Sequence, residues 1–459
     1  MKSTSLRLWL RPGLGIKRWI VLGILCMITI SLALAMFAAW IYRTYDVPAG
    51  SQTLVRLITL QFVPHPLREI GLLLVASVLL VVAFVRLGTT LIAPFRAQDA
   101  SGRAIAEIVN EHRFGPLTPE LNVVAIGGGT GLSALLRGLK RANITLTAIV
   151  TVADDGGSTG RIRSAYNIPA PGDLRNCLVA LADDESAMGQ LFDYRFSGPD
   201  SELAGHSFGN LFITAMTQVS GSFDHAVIES ARVLNVRGRV LPSTIANIDL
   251  CAWMEDGEVV RGESGIAHDA RRIDRIFLSP DHPDGYEPAL QAILNADLIV
   301  LGPGSLYTSV LPNLLVEGVD QAIKWSRGAT AYVCNVATQH GETDHFGYRE
   351  HIREVVKYLG QNRLDYAIVN SNPAAAGTAA AKGLDVEAVD WDGEATLDGV
   401  TLIARDVVSD RNPLRHDPAK LAEVLLDIAR EARAASLNAP RPSIESLHAF
   451  DNPTATAAD

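Results

Sequence analysis

From residue 121 onward the chain alternates short, wholly apolar runs with stretches of helical period. Val123-Val124-Ala125-Ile126 has strand length, Ser133 to Arg141 repeats its apolar residues at helical spacing, and Leu146 to Val152 has strand length again. This is the opening of a βαβ unit. The theme returns in Leu298-Ile299-Val300-Leu301, Ala331-Tyr332-Val333-Cys334 and Tyr366-Ala367-Ile368-Val369, with helical segments around residues 313–325 and 350–359. Runs that are apolar at every position suit strands buried on both faces of a parallel sheet. The pattern therefore predicts an α/β fold, doubly wound about a mainly parallel sheet, over residues 121–436. One stretch breaks the rhythm: Ala246 to Met254 and Val259 to Gly262 flank Asp256-Gly257, a tight-turn dipeptide, which predicts a small β insertion. Lys420 to Ala435 reads as a helix docked on the core. The Pro-, Ala- and Thr-rich residues 437–459 read as a disordered tail.

The first hundred residues follow another pattern. Trp19 to Tyr42 holds no charged residue, long enough as a helix to cross a hydrocarbon layer of roughly 30 Å. A second run, Ile70 to Val85, continues past Arg86 to Ile92, with Arg86 expected to reach toward the headgroups. Residues 19–95 are thus expected to form a two-span membrane anchor, rather than a cleaved signal peptide. The basic N-terminus, residues 1–18, carries Lys2, Arg7, Arg11, Lys17 and Arg18 without an acidic residue, which predicts that it stays in the cytoplasm. Two spans then place the large domain in the cytoplasm, at a multi-pass cell-membrane location. Residues 97–119, with Ile105, Ile108 and Val109 among charged positions, read as a linker helix.

Charge sharpens the picture. Residues 1–96 hold ten Lys/Arg and two Asp/Glu; with a formal charge of −10 for the whole chain, the remainder carries −18. A body that acidic repels a phosphate backbone at long range, so no nucleic-acid partner is expected and any anionic ligand must be held by local groups. The four cysteines, Cys26, Cys177, Cys251 and Cys334, lie far apart with no metal-type spacing, which points to neither a zinc site nor a disulfide framework.

Local chemistry concentrates where apolar runs end. Gly127-Gly128-Gly129-Thr130-Gly131 follows a strand and opens a helix, so backbone N–H groups and the helix N-terminus suit a phosphate; the ending lacks the GK[ST] of a P-loop NTPase. After the next strand come Asp154, Asp155, Gly156, Gly157, Ser158 and Arg161. A Rossmann-type protein places an acidic residue there to hold a ribose. Two carboxylates exceed that need, so one is a candidate for ribose or a divalent cation, with Arg161 and Arg163 candidates for phosphate and a solvated turn the plain alternative. Asp173 reads as a helix N-cap ahead of Cys177 to Ala182, with Arg175 and Asn176 directed at the same crevice. His206 and Asn210 introduce the helix Leu211 to Val219; the imidazole is a candidate for ligand contact or acid–base work. Gly302, Gly304, Ser305 and Thr308 form a second glycine- and hydroxyl-rich strand-to-helix loop. Two such loops at neighbouring strand ends would flank a switch-point crevice. Asp154, Asp155 and His206 are the catalytic candidates, with Mg²⁺ through Asp154 or Asp155 the candidate cofactor.

Taken in order, Gly127 to Ser133, Ala153 to Arg161, Pro171 to Leu178, Gly205 to Asn210, Arg237 to Thr244, Leu301 to Ser309 and Cys334 to Gln339 resemble the motif set of the YvcK/CofD-like family, in its YvcK (gluconeogenesis factor) branch. The resemblance implies a Rossmann-like fold and binding of a nucleotide sugar such as UDP-N-acetylglucosamine. It also implies a regulatory role in carbon metabolism, cell-wall precursor supply and cell shape. A ligand sensor of that kind requires no turnover, and a homo-oligomer is one open state. The CofD branch implies instead a magnesium-dependent transferase of the 2-phospho-L-lactate type. Leu132-Ser133-Ala134 departs from the Pro-Lys of that branch, which weakens the transferase reading.

Overall fold

The computed structural model describes residues 121–436 except 183–186, 199–201, 270 and 373–385; outside that stretch it describes Ser31 and Pro64. The expected basic N-terminus, the two spans within residues 19–95, the linker helix at 97–119 and the tail at 437–459 lie outside the described residues. Among the described residues no helix is long and apolar enough to cross a membrane.

Eight strands form the main sheet in the order β10-β11-β9-β8-β7-β1-β2-β3. They are β1 (Leu121–Gly127), β2 (Ile144–Val150), β3 (Arg239–Pro242), β7 (Leu298–Leu301), β8 (Ala329–Val333), β9 (Tyr366–Asn370), β10 (Thr396–Leu397) and β11 (Val400–Arg405). All neighbours pair in parallel except β10, which closes one edge against β11. The order β3-β2-β1-β7-β8-β9 is that of a Rossmann-like sheet, and its direction of winding reverses between β1 and β7. Leu298 to Leu301 is buried at every position, as a run without a polar residue requires.

Helices follow the strands as the apolar periodicity predicts, though several begin earlier. Gly129–Leu139 starts inside the glycine run, because Gly129 takes a positive φ of 62° that turns the chain from strand into helix. Gly172–Leu181 and Pro418–Ser436 pack against it; Asp417 caps the latter by accepting from the N–H groups of Ala419 at 2.9 Å and Lys420 at 3.0 Å. The expected N-cap at Asp173 is corrected. The helix opens at Gly172 after Pro171, so Asp173 sits inside its first turn and makes no capping bond.

The predicted hairpin is present. β4 (Asp249–Met254) and β5 (Val259–Arg261) pair antiparallel across Asp256-Gly257, and β6 (Ile273–Ser279) joins the far side of β4. The short helix Glu263–Ala267 leaves β5, and it matters for the site.

Candidate functional site

The switch point brings the two glycine loops into contact. The Thr151 N–H donates to the Gly127 carbonyl at 3.0 Å and the Gly302 N–H to the Ile126 carbonyl at 2.8 Å, so both loops leave the sheet at one level. A Cβ at Gly131 would lie 2.6 Å from the Pro303 carbonyl oxygen, and one at Gly128 would lie 2.7 Å from Thr151 Cγ2 and collide with Asp173 Oδ2. Glycine at these two places is a condition of the close approach. Residues 127–131 and 302–304 therefore lie against one another at the switch point, where an open α/β sheet has its crevice.

Around that crevice the structure gathers most of the residues singled out in the sequence. Asp154 accepts from the Gly156 N–H at 2.8 Å, and its other oxygen faces the start of the helix Gly172–Leu181. Gly156 precedes and Gly157 begins the helix Gly157–Tyr166. Ser158 lies 3.0 Å from His206 Nδ1 and receives the Asn210 side-chain amide at 3.3 Å. Burial, aided by Arg161, holds His206 below the usual imidazole pKa, so it is neutral at pH 7. Asn210 also stands in the first turn of Phe208–Ser220, capped by Ser207. Asp173 is buried, accepts a backbone bond from Gly129 and one from Asn176, and is pushed up to about 7 by its burial and then by Asp154. Arg175 is buried as well; its guanidinium donates to Asn176 Oδ1 at 2.5 Å and approaches Asp193 at 3.6 Å.

Some expected roles shift. Arg163 is enclosed by Asn247, Asp249 and the carbonyls of Ala153, Asp154 and Ile248, so its donors serve the β insertion and not a phosphate. Arg161 is exposed and donates to the Ala204 carbonyl at 2.7 Å. Asp155 accepts from the Ser264 N–H at 2.8 Å and packs on Gly262, which ties the helix Glu263–Ala267 to the crevice. Thr130 is exposed at the mouth. The Ser305 and Thr308 hydroxyls both donate to Glu342, Thr308 at 3.3 Å, and Thr308 also lies 2.7 Å from Ser305 Oγ. Their loop winds into a π-helical turn, Leu306–Val310, in which the Val310 N–H reaches the Ser305 carbonyl.

Two residues of the site escaped the sequence reading. Glu342 is buried under the second loop, which raises its pKa. Glu263 is pushed up to about 9, first by burial and then by Asp173, Asp154, Glu342 and Asp155, and its Oε2 is buried without a partner. Four other carboxyl groups thus act on Glu263. Among the described residues no group of three or more His, Cys, Asp or Glu side chains is arranged to hold a metal ion. The donor set does not form a protein-built Mg²⁺ cage. Further buried polar atoms without partners are Thr151 Oγ1, Arg175 Nε and Asn210 Oδ1. Such atoms are uncommon; these three and Glu263 Oε2 belong to residues of the crevice, while others lie on Ser243, Asn313, Tyr332 and His351.

Comparison with known proteins places this geometry among its relatives. The family model described as 2-phospho-L-lactate transferase CofD matches residues 123–408. A protein of Bacillus subtilis named gluconeogenesis factor is 45% identical over 314 residues, covering 67% of this chain and 98% of its own. A relative from Nostoc is 40% identical over 427 residues and covers 91% of each chain. A crystal structure of a Bacillus halodurans protein superposes with a TM-score of 0.64 at 45% identity, covering 67% of this chain and 99% of that one.

Proposed function

The chain belongs to the CofD family, alongside relatives named gluconeogenesis factor, and from that premise we propose that it is a sensor of nucleoside diphosphate sugars, UDP-N-acetylglucosamine first among them. The observation that carries the proposal is the contact of Gly131 with Pro303 across the switch point, which sets the backbone N–H groups of one helix start against a second glycine loop. The diphosphate lies over Gly128–Gly131, and Asp154 faces the ribose. Thr151 Oγ1, Arg175 Nε and Asn210 Oδ1 are polar atoms that a ligand would satisfy.

An anion beside five carboxyl groups needs an explanation, and protonation supplies it. With its pKa near 9, Glu263 holds a proton at pH 7, and Asp173, near 7, is about half protonated. A neutral Glu263 donates a hydrogen bond where a carboxylate would repel. No chemical turnover is needed for this role. Within the cell the sensor couples sugar-nucleotide supply to carbon metabolism, wall synthesis and cell shape, held at the membrane through residues 19–95 with its large domain in the cytoplasm.

Ligand that binds only the folded state raises its stability. Thermal unfolding of the full chain in detergent should therefore shift upward with millimolar UDP-N-acetylglucosamine; no shift with any UDP-sugar would overturn the proposal. The crowding of carboxylates favours one rival, a magnesium-dependent transferase of the CofD type, in which a cation borne by the phosphates offsets the acidic crevice. That rival requires product formation from a nucleotide donor, abolished by Asp154→Asn.

A further inference from the structure

Beyond Glu342 lies a cavity of about 330 Å³ that the diphosphate leaves unused. It sits past the carboxyl end of β8, where the chain runs through Thr338 to Phe346, and Glu342 is its common wall with the Ser305–Thr308 loop. In a sheet of this winding order a two-part ligand straddles the switch point, one half on each side. The acidic half of the crevice, with Asp154 and Asp173, lies over β1 and β2. The cavity lies on the other side.

Its lining has a different chemistry. His345 Nδ1 is 2.9 Å from Glu387, His340 Nδ1 is 3.3 Å from Asp344, and Arg271 is held by Asp256 and Asp269. Each of these nitrogen-bearing side chains already faces a carboxylate, so the cavity offers no excess positive charge to a second phosphate or an acidic group. What it offers is an alternation of donors and acceptors around the Phe346 ring, with the Arg272 guanidinium 6.0 Å from the ring centroid. A neutral ring with a hydroxyl edge and an apolar face matches that lining. The volume stands at the small end of the ~300–1,000 Å³ range of ligand pockets, room for one such ring and not for a second nucleoside with its phosphates. His345 also holds a positive φ of 63°, a conformation uncommon for a residue with a side chain.

The geometry points to this cavity as the subsite for the sugar half of the ligand, an inference that rests on the proposed binding of nucleoside diphosphate sugars. The sugar ring seats against Phe346, its hydroxyls meet His345, Glu387 and Arg272, and the preference for a sugar nucleotide over the bare nucleotide originates there. Titration calorimetry of the full chain in detergent, with UDP and with UDP-N-acetylglucosamine as probes, tests it. The unmodified protein should bind the sugar nucleotide about tenfold more tightly than UDP. His345→Ala and Arg272→Ala should each remove most of that ratio while leaving UDP affinity within about twofold. Retained UDP binding reports that the fold and the phosphate site are intact. A ratio near one in the unmodified protein, or a ratio untouched by both substitutions, overturns the subsite, as does a parallel loss of both probes. Binding of neither probe by the unmodified protein defeats the sensor proposal itself.

Discussion

Replacing Asp173 by Asn should make the protein more stable at alkaline pH and change its stability little at acid pH. In the folded state the carboxyl is buried beside Asp154 and titrates near 7, against 3.8 in the unfolded chain. The folded state therefore holds the proton between those two values while the unfolded state releases it, so stability is highest at the acid side and declines as pH rises through about 7. The gap is about 3 pKa units, and at 1.36 kcal/mol per unit it amounts to about 4 kcal/mol at most. An Asn amide has no such titration, and its oxygen still accepts from Gly129. For a folded unit of roughly 300 residues, 1 kcal/mol corresponds to about 1.5 °C in Tm. About two of those units lie above pH 5, or roughly 2.7 kcal/mol, so the difference in Tm between Asp173→Asn and the unmodified chain should grow by about 4 °C from pH 5 to pH 8.5, measured by thermal unfolding in detergent. Comparing the two proteins at each pH cancels the other titrating groups, among them Asp269 and Asp392, whose hydrogen bonds hold them near 2. A difference that stays constant across that range would show that Asp173 ionises like an exposed carboxylate, and the account of the crevice as a shared acidic cluster would be refuted.

Two further outcomes follow from the same geometry. Gly131→Ala places a methyl group 2.6 Å from the Pro303 carbonyl and must part the two loops, so it should destabilise by about 1–3 kcal/mol and weaken UDP-N-acetylglucosamine binding at least about tenfold, seen by unfolding and calorimetry. Affinity for the same ligand should fall as pH rises from 7 to 10, because Glu263 loses its proton near 9 and the new charge opposes the diphosphate; Glu263→Gln, permanently neutral, should show a shallower decline.

The fold was readable in the chain because the central strands carry short apolar runs such as Val123 to Ile126 and Leu298 to Leu301, and many helices begin at a glycine or serine signal, as at Gly128, Gly156, Ser207 and Gly347. Val123 to Ile126 and Leu298 to Leu301, 175 residues apart in the chain, stand side by side with Ile126 opposite Leu301. That adjacency follows from the rule that loops at the reversal of a doubly wound sheet converge, so the meeting of the two glycine loops was open to inference. Helix starts were placed late, as at Asp173, because glycine-rich turns carry no apolar period to mark the first helical residue.

What the chain does not advertise is where side chains from separate excursions meet. Glu263 comes from the β insertion and Glu342 from the loop after β8; neither has a neighbour in sequence that marks it as part of a site. The bond from the Ser264 N–H to Asp155 spans 109 residues and draws Glu263 into the crevice, and the Ser305 and Thr308 hydroxyls do the same for Glu342. These two contacts also change what the motif residues are for: Asp155, Ser305 and Thr308 act by holding other carboxyl groups in place. Burial that raises a carboxyl's pKa reduces stability at neutral pH, so the three buried carboxyls Asp173, Glu263 and Glu342 at the switch point are a cost to the fold that the proposed ligand role accounts for. The charge on Asp173 and Glu263 changes between about pH 7 and 9, which on that reading makes the crevice more receptive to an anion as protons are added. If binding of the sugar nucleotide were indifferent to pH between 6 and 9, the carboxyl groups would have to be kept apart from the phosphates, and the ligand would have to lie elsewhere than over Gly128–Gly131.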